Sequence, residues 1–153
     1  MIDFFYYTFL DNMLIGSENP NVFGNAYDVV KEFRQRFKIK HMITLTGEYD
    51  EFEIVGLTRH HIPMSDMPTK QSIEEVFDII DDALPYQEPV WLHCQAGIDR
   101  TGCSIGAYLV RSGYDPEEVI AGLLEKFRYR INHTHINELW KDKIDFIRLY
   151  SKT

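Results

Sequence analysis

The sequence predicts an α/β fold, a mostly parallel central sheet of four to five strands flanked by helices. Three observations predict it. Short apolar, β-favouring runs alternate along the chain with longer segments of helical periodicity. One of these runs, Pro89-Val90-Trp91-Leu92-His93, leads through a tight loop straight into a helix of small apolar residues, which sets a loop at a strand's carboxyl end. The chain has 153 residues, a hydrophobic fraction of 44% and no repeat, linker or low-complexity run. That is enough for one real core, so residues 1–153 are expected to form a single domain.

The elements follow in order. Phe4-Phe5-Tyr6-Tyr7-Thr8-Phe9-Leu10 reads as the first strand, pairing with Met13-Leu14-Ile15 across Asp11-Asn12. It is too short to span a membrane and lacks the basic leader and cleavage site of a signal peptide. Its aromatic residues alternatively line part of a substrate cleft. Asn25 through Phe37 has helical spacing, with Val29, Val30, Phe33 and Phe37 on one face. Met42-Ile43-Thr44-Leu45 is expected as a buried strand and Leu57–Ile62 as another. Ser72 starts a helix through Leu84, with Ile73, Val76, Phe77 and Ile80 inward and Glu75 completing a capping box with Ser72. After the strand at Pro89–His93 a buried helix runs from Thr101 through Val110. Gly113 stops it, and Asp115-Pro116 starts the next helix, which runs to about Phe127 with Val119, Ile120, Leu123, Leu124 and Phe127 on its apolar face. The last helix runs from about Asn137 to Tyr150.

The chemistry concentrates in the ten residues from His93 to Gly102, His-Cys-Gln-Ala-Gly-Ile-Asp-Arg-Thr-Gly. A loop of this kind wraps its backbone N–H groups around one tetrahedral oxyanion. The helix that follows aims its unpaired N–H groups and its dipole at the same anion. Cys94 lies beneath the anion, and Arg100 presents a planar fork that matches two of its oxygens. The helix N-terminus and the Arg100 charge both favour the thiolate, the nucleophilic form of Cys94. Gly97 permits close backbone approach and a positive φ. Thr101 is placed to donate its hydroxyl toward the sulfur and stabilise it as a leaving group, and His93 to orient the loop. The pattern reads as thiolate attack on a phosphate ester, with Gln95, Ala96, Gly97, Ile98, Asp99 and Arg100 around the phosphate.

Such a reaction calls for a proton donor to the leaving oxygen. Asp66 lies in a loop punctuated by Pro63 and Pro68, just after the strand at Leu57–Ile62. Asp3, Asp11, Asp28 and Asp50 have no comparable setting.

His93-Cys94-x5-Arg100-Thr101 resembles the signature of the protein tyrosine phosphatase superfamily, and the short chain resembles its small dual-specificity-like branch. The resemblance covers most of the chain and is strongest from Ile62 to Phe127. It implies a phosphocysteine intermediate at Cys94, phosphate binding by Arg100 and protonation of the leaving oxygen by Asp66, with no cofactor and no metal. The connection Gly113-Tyr114-Asp115-Pro116 also resembles the family. Relatives often place a water-positioning Gln or Asn before the last helix, for which Asn132, His135 and Asn137 are the candidates here. Asp99 departs from many relatives and resembles the Asp-Arg-Thr of some phosphoinositide phosphatases. Its readings are an alternative acid, a holder of the hydrolytic water, a partner that fixes Arg100, or an outward-facing cap of the following helix. The loop's variable positions hold no lysine, which lowers the case for a polyphosphorylated headgroup.

The implied partner is a phosphorylated protein or a small phosphoester, met by a monomer. A net charge of −8 speaks against nucleic acid and anionic membrane surfaces. Arg128 and Arg130 either add positive potential near the site or are solvated surface charges. His60-His61 and His133-x-His135 lack the spacing and companion carboxylate of a metal site. Two cysteines make no disulfide framework, and a working thiolate belongs in a reducing compartment, so the cytoplasm is expected. Cys103 reads as a packed helix residue, with a redox partnership to Cys94 as the alternative.

Overall fold

The computed structural model describes residues 4–130, 138 and 140–151. The chain divides into two compact units, residues 1–101 and 102–153.

The first unit is built on a five-stranded sheet. Its strands are β1 (Tyr6–Phe9), β2 (Leu14–Ser17), β3 (His41–Thr44), β4 (Thr58–His61) and β5 (Val90–His93), in the order β1-β2-β5-β3-β4. β1 pairs antiparallel with β2, and the other three pairings are parallel. This is the mostly parallel sheet expected from the alternation of short apolar runs with helices. The hairpin between β1 and β2 forms as expected, but its loop takes four residues because Phe9 lies opposite Leu14. Leu10, Asp11 and Asn12 each adopt a left-handed φ, at 55, 54 and 67°.

α1 (Ala26–Phe37) follows the N-cap Asn25, whose side chain accepts from the Asp28 N–H and so satisfies one of the helix's unpaired donors. Val29, Val30 and Phe33 pack with Ile15, Met42 and Trp91 from three strands, which buries this face of the sheet. α2 (Lys70–Ala83) begins two residues earlier than the Ser72 start expected from sequence. Thr69, in extended conformation just after Pro68, is the N-cap, and its box partner is Ser72. Ser72 therefore occupies the third helical position, and Glu75 has no capping role.

β4 corrects a second expectation. Leu57–Ile62 reads as a buried strand, yet Thr58 and His61 are exposed and Arg59 and His60 half-buried. β4 is the sheet's edge, with a neighbour on one side only. Its polar side chains are therefore tolerated, and they keep the open edge from pairing elsewhere.

α3 (Asp99–Arg111) starts in the anion-loop sequence, two residues before the expected Thr101. Gly113, at φ 109°, ends the segment as expected. In the second unit α4 (Pro116–Phe127) is capped by Asp115, which accepts from the Glu118 N–H, with Pro116 at its first position. α5 (Lys141–Arg148) packs against α4, and the Arg148 guanidinium donates twice to Glu117 at 2.5 and 3.0 Å. The expected start of this helix near Asn137 lies outside the described residues. Gly102 and Gly106 of α3 allow close approach, since a Cβ there would come within 2.8 Å of Phe127 and 2.7 Å of Ile147. Cys103 is fully buried in α3.

Candidate active site

Register places the site. Ser17, His93, Thr44 and His61 are paired across β2, β5, β3 and β4 and form one row at the carboxyl end of the parallel strands. The segments leaving that row are Glu18-Asn19, the Cys94 loop, Leu45-Thr46 and the loop that carries Asp66. In open α/β sheets ligands bind at this end, because the strand-to-helix turns and helix N-termini gather there.

The Cys94 loop is braced by its neighbours. The Leu45 N–H donates to the His93 carbonyl at 2.9 Å, and the Asn19 N–H to the Gln95 carbonyl at 3.0 Å. Asn19 also donates from Nδ2 to Gln95 Oε1 at 3.2 Å. The Tyr7 hydroxyl donates to the Gly97 carbonyl at 2.7 Å. Gly97 has φ 79°, and a Cβ there would lie 2.5–2.6 Å from the Ser17 and Glu18 backbone. Only glycine fits both the conformation and the space. Ser17 is fixed in turn, its Oγ accepting from Trp91 Nε1 at 2.7 Å and donating to the Glu18 carbonyl at 2.8 Å.

His93 is buried in the last position of β5, with Nε2 2.9 Å from Thr44 Oγ1 and Nδ1 3.4 Å from the Cys94 carbonyl. Burial lowers its pKa to about 4. The bond to the Cys94 backbone opposes that shift, and the charges of Arg59, Arg100 and His61 add to it. The imidazole is thus neutral at ordinary pH, a fixed bridge between β3 and the loop.

Cys94, Gln95, Ala96, Asp99 and Arg100 line an open cleft of about 410 Å³ together with Ser65 and Asp66. The sequence therefore brings its cysteine, its arginine and its Pro-flanked aspartate to one cleft from two distant segments. Cys94 is 2% exposed, while Asp66, Gln95 and Ala96 are exposed and Asp99 and Arg100 half-buried. Arg100 Nη1 donates to the Met64 carbonyl at 3.2 Å. Asp99 is the first residue of α3 and faces the same cleft.

Thr101 is fully buried and its hydroxyl has no hydrogen-bond partner, so the expected bond to the Cys94 sulfur is not formed. Ile98 is buried beside Gly97. Asn132, His135 and Asn137 lie outside the described residues. Ser17 and Asn19 carry no local sequence signal as parts of the site: Ser17 packs against Gly97 through its backbone, and Asn19 and Tyr7 bond the loop from 76 and 90 positions away. Tyr7 is 4% exposed and underlies the loop instead of lining a cleft. Among the described residues no group of three or more His, Cys, Asp and Glu could hold a metal ion. No described helix is long and apolar enough to cross a membrane.

Comparison with known proteins gives the family and the fold. Residues 15–114 match the family model of the DSP-PTPase phosphatase of polymorphic toxin systems. The chain is 31% identical over 111 residues to the tyrosine-protein phosphatase CDC14 homolog of Schizosaccharomyces pombe, a match over 69% of this chain and 20% of that protein. It is 33% identical over 86 residues to the dual specificity protein phosphatase MPK-4 of Drosophila melanogaster, over 52% of this chain and 22% of that protein. The chain thus spans about a fifth of the length of these two relatives. In fold it is similar to the core catalytic domain of the PP-IP phosphatase SIW14 from S. cerevisiae. That likeness has a TM-score of 0.68 at 18% identity and covers 94% of this chain and 84% of that one. With the family model matched over β3, β4, β5, the Cys94 loop and α3, the chain belongs to the DSP-PTPase phosphatase family of polymorphic toxin systems, within the protein tyrosine phosphatase superfamily.

Proposed function

We propose that this chain is a cysteine-dependent phosphomonoester hydrolase, a protein tyrosine or dual-specificity phosphatase. The carrying observation is that Cys94, Arg100 and Asp66 line one open cleft at the carboxyl end of β5. The Cys94 thiolate attacks phosphorus in line. The P–O bond to the leaving group breaks and Asp66 gives that oxygen its proton. Arg100 and the loop amides hold the three remaining oxygens. Water then attacks the phosphocysteine, Asp66 takes the water's proton, and the thiolate and inorganic phosphate are released. The orphaned Thr101 hydroxyl is available to the sulfur as charge returns to it in this second step. None of these steps calls for a cofactor. Residues 1–153 act as one domain, a reading supported by a family match that runs from the first compact unit into the start of the second. The thiolate chemistry suits a cytoplasmic location.

Asp99 supports a second reading, a phosphoinositide phosphatase, since it faces the cleft beside Arg100. Turnover of a phosphopeptide and phosphoinositide panel by wild type, Cys94→Ser, Asp66→Ala and Asp99→Ala tests both. The expected result is phosphopeptide turnover that Cys94→Ser abolishes and Asp66→Ala cripples. Full activity in Cys94→Ser would end the mechanism, and turnover confined to the lipids would select the second reading.

A further inference from the structure

An anion cup works only if its peptide planes are turned the right way. The carbonyl of Gly97 accepts from the Tyr7 hydroxyl at 2.7 Å, and the bond is buried. The Gly97–Ile98 peptide is trans and planar, with its N–H opposed to its C=O. Holding the carbonyl toward Tyr7 therefore turns the Ile98 N–H the other way, away from β1.

The rest of the hairpin makes this reach possible. Tyr7 lies directly opposite Gly16 in the antiparallel register. A Cβ on Gly16 would fall 2.5 Å from the Tyr7 ring and 2.7 Å from its oxygen, so the phenol crosses β2 over the one residue that leaves it room. Phe5 and Phe9 flank the ring, at centroid distances of 5.5 and 6.1 Å. Burial, and then the negative charge of Cys94, raise the phenol's pKa well above its ordinary value. The hydroxyl is a proton donor throughout the range in which a phosphatase is assayed.

We propose that Tyr7 is a positioning residue of the anion loop, whose hydroxyl sets the Gly97–Ile98 peptide so that the Ile98 N–H is presented to the oxyanion above Cys94. The inference rests on the phosphatase reading given above. Tyr7 touches no substrate; it acts through the loop.

The test compares wild type, Tyr7→Phe, Gly16→Ala and Phe9→Leu. It measures kcat and KM for p-nitrophenyl phosphate, the rate of Cys94 alkylation by iodoacetate, and the melting temperature. A donor that meets the oxyanion best in the transition state governs kcat more than KM. Tyr7→Phe is expected to lower kcat about tenfold with KM changed less than about twofold, a smaller loss than the ~10²–10³-fold cost of deleting an oxyanion donor outright. Alkylation by the anionic reagent slows in parallel. Gly16→Ala keeps the hydroxyl but displaces the ring, and gives the same pattern. Phe9→Leu removes neighbouring packing without touching the bond, so it lowers the melting temperature and leaves kcat in place. Wild-type kcat and alkylation rate in Tyr7→Phe would overturn the proposal, as would an equal kcat loss in Phe9→Leu. If wild type hydrolyses no phosphoester, the phosphatase reading fails by itself. The alkylation rates, which need only a thiol and an anion cup, still decide the role of Tyr7.

Discussion

Arg100 donates from Nη1 to the carbonyl of Met64 at 3.2 Å, and Met64 in turn donates its N–H to the Leu45 carbonyl at 2.9 Å. The cation of the anion loop is thereby tied to the segment that carries Asp66 two residues later, and that segment to the end of β3. One side chain thus links the Cys94 loop to the backbone that carries Asp66.

Arg100→Lys keeps the charge and loses the planar fork, and with it the simultaneous hold on phosphate and Met64. We expect kcat/KM for p-nitrophenyl phosphate to fall about 10²–10³-fold. Inhibition by orthovanadate should weaken in the same variant. Retention of near wild-type kcat/KM would show that the fork is unused.

Asp66→Asn removes the proposed proton donor without altering its size. The loss in kcat should be on the order of 10²-fold for phenyl phosphate, whose leaving group needs the proton, and smaller for p-nitrophenyl phosphate. Asp99→Asn should cost less on both substrates. The reverse ranking would assign the acid to Asp99.

His93 ties stability to pH. Its folded pKa of about 4 lies below the ordinary 6.5, so between those values the unfolded chain binds the extra proton. The contribution is complete above pH 6.5 and is lost as pH falls through that window, by about 3 kcal/mol in all. His60 is also lowered, by burial and then by His41, and acts in the same sense. Melting curves from pH 7.5 to 4.5 should therefore fall less steeply for His93→Gln than for wild type. Parallel curves would refute this account.

Gly97→Ala meets two obstacles at once, a left-handed φ of 79° and backbone atoms of Ser17 and Glu18 within 2.6 Å of the new Cβ. We expect a loss of about 1–3 kcal/mol in unfolding free energy from the backbone strain, with vanadate binding abolished because the cup must reshape. Calorimetry and an inhibition assay on the purified variant check both.

Much of the site is local and therefore legible in the chain. Cys94, Gly97 and Arg100 belong to one loop, and the strand before it and helix after it are short-range features of composition. The caps at Asn25 and Asp115 are equally local, since each acts on an N–H three residues on. Capping is ambiguous in the chain where two pairs share the same spacing. Thr69 with Ser72 and Ser72 with Glu75 are both three apart, and the chain takes the first because the helix begins as soon as Pro68 is passed. The choice of Asp66 rests on the demands of the chemistry and on its Pro-flanked loop, and its lining of one cleft with Arg100 is a tertiary feature.

The sequence by itself determined the alternation of strands and helices, the anion loop and its charges, because each depends on residues that are near neighbours along the chain. Tertiary structure alone decided that β4 is an exposed edge, that Thr101 is left without a partner, and that Tyr7, Ser17 and Asn19 brace a loop more than seventy positions away. The reason is strand order: β5 inserts between β2 and β3, and this non-local pairing carries the Cys94 loop to the hairpin end and the Asp66 segment.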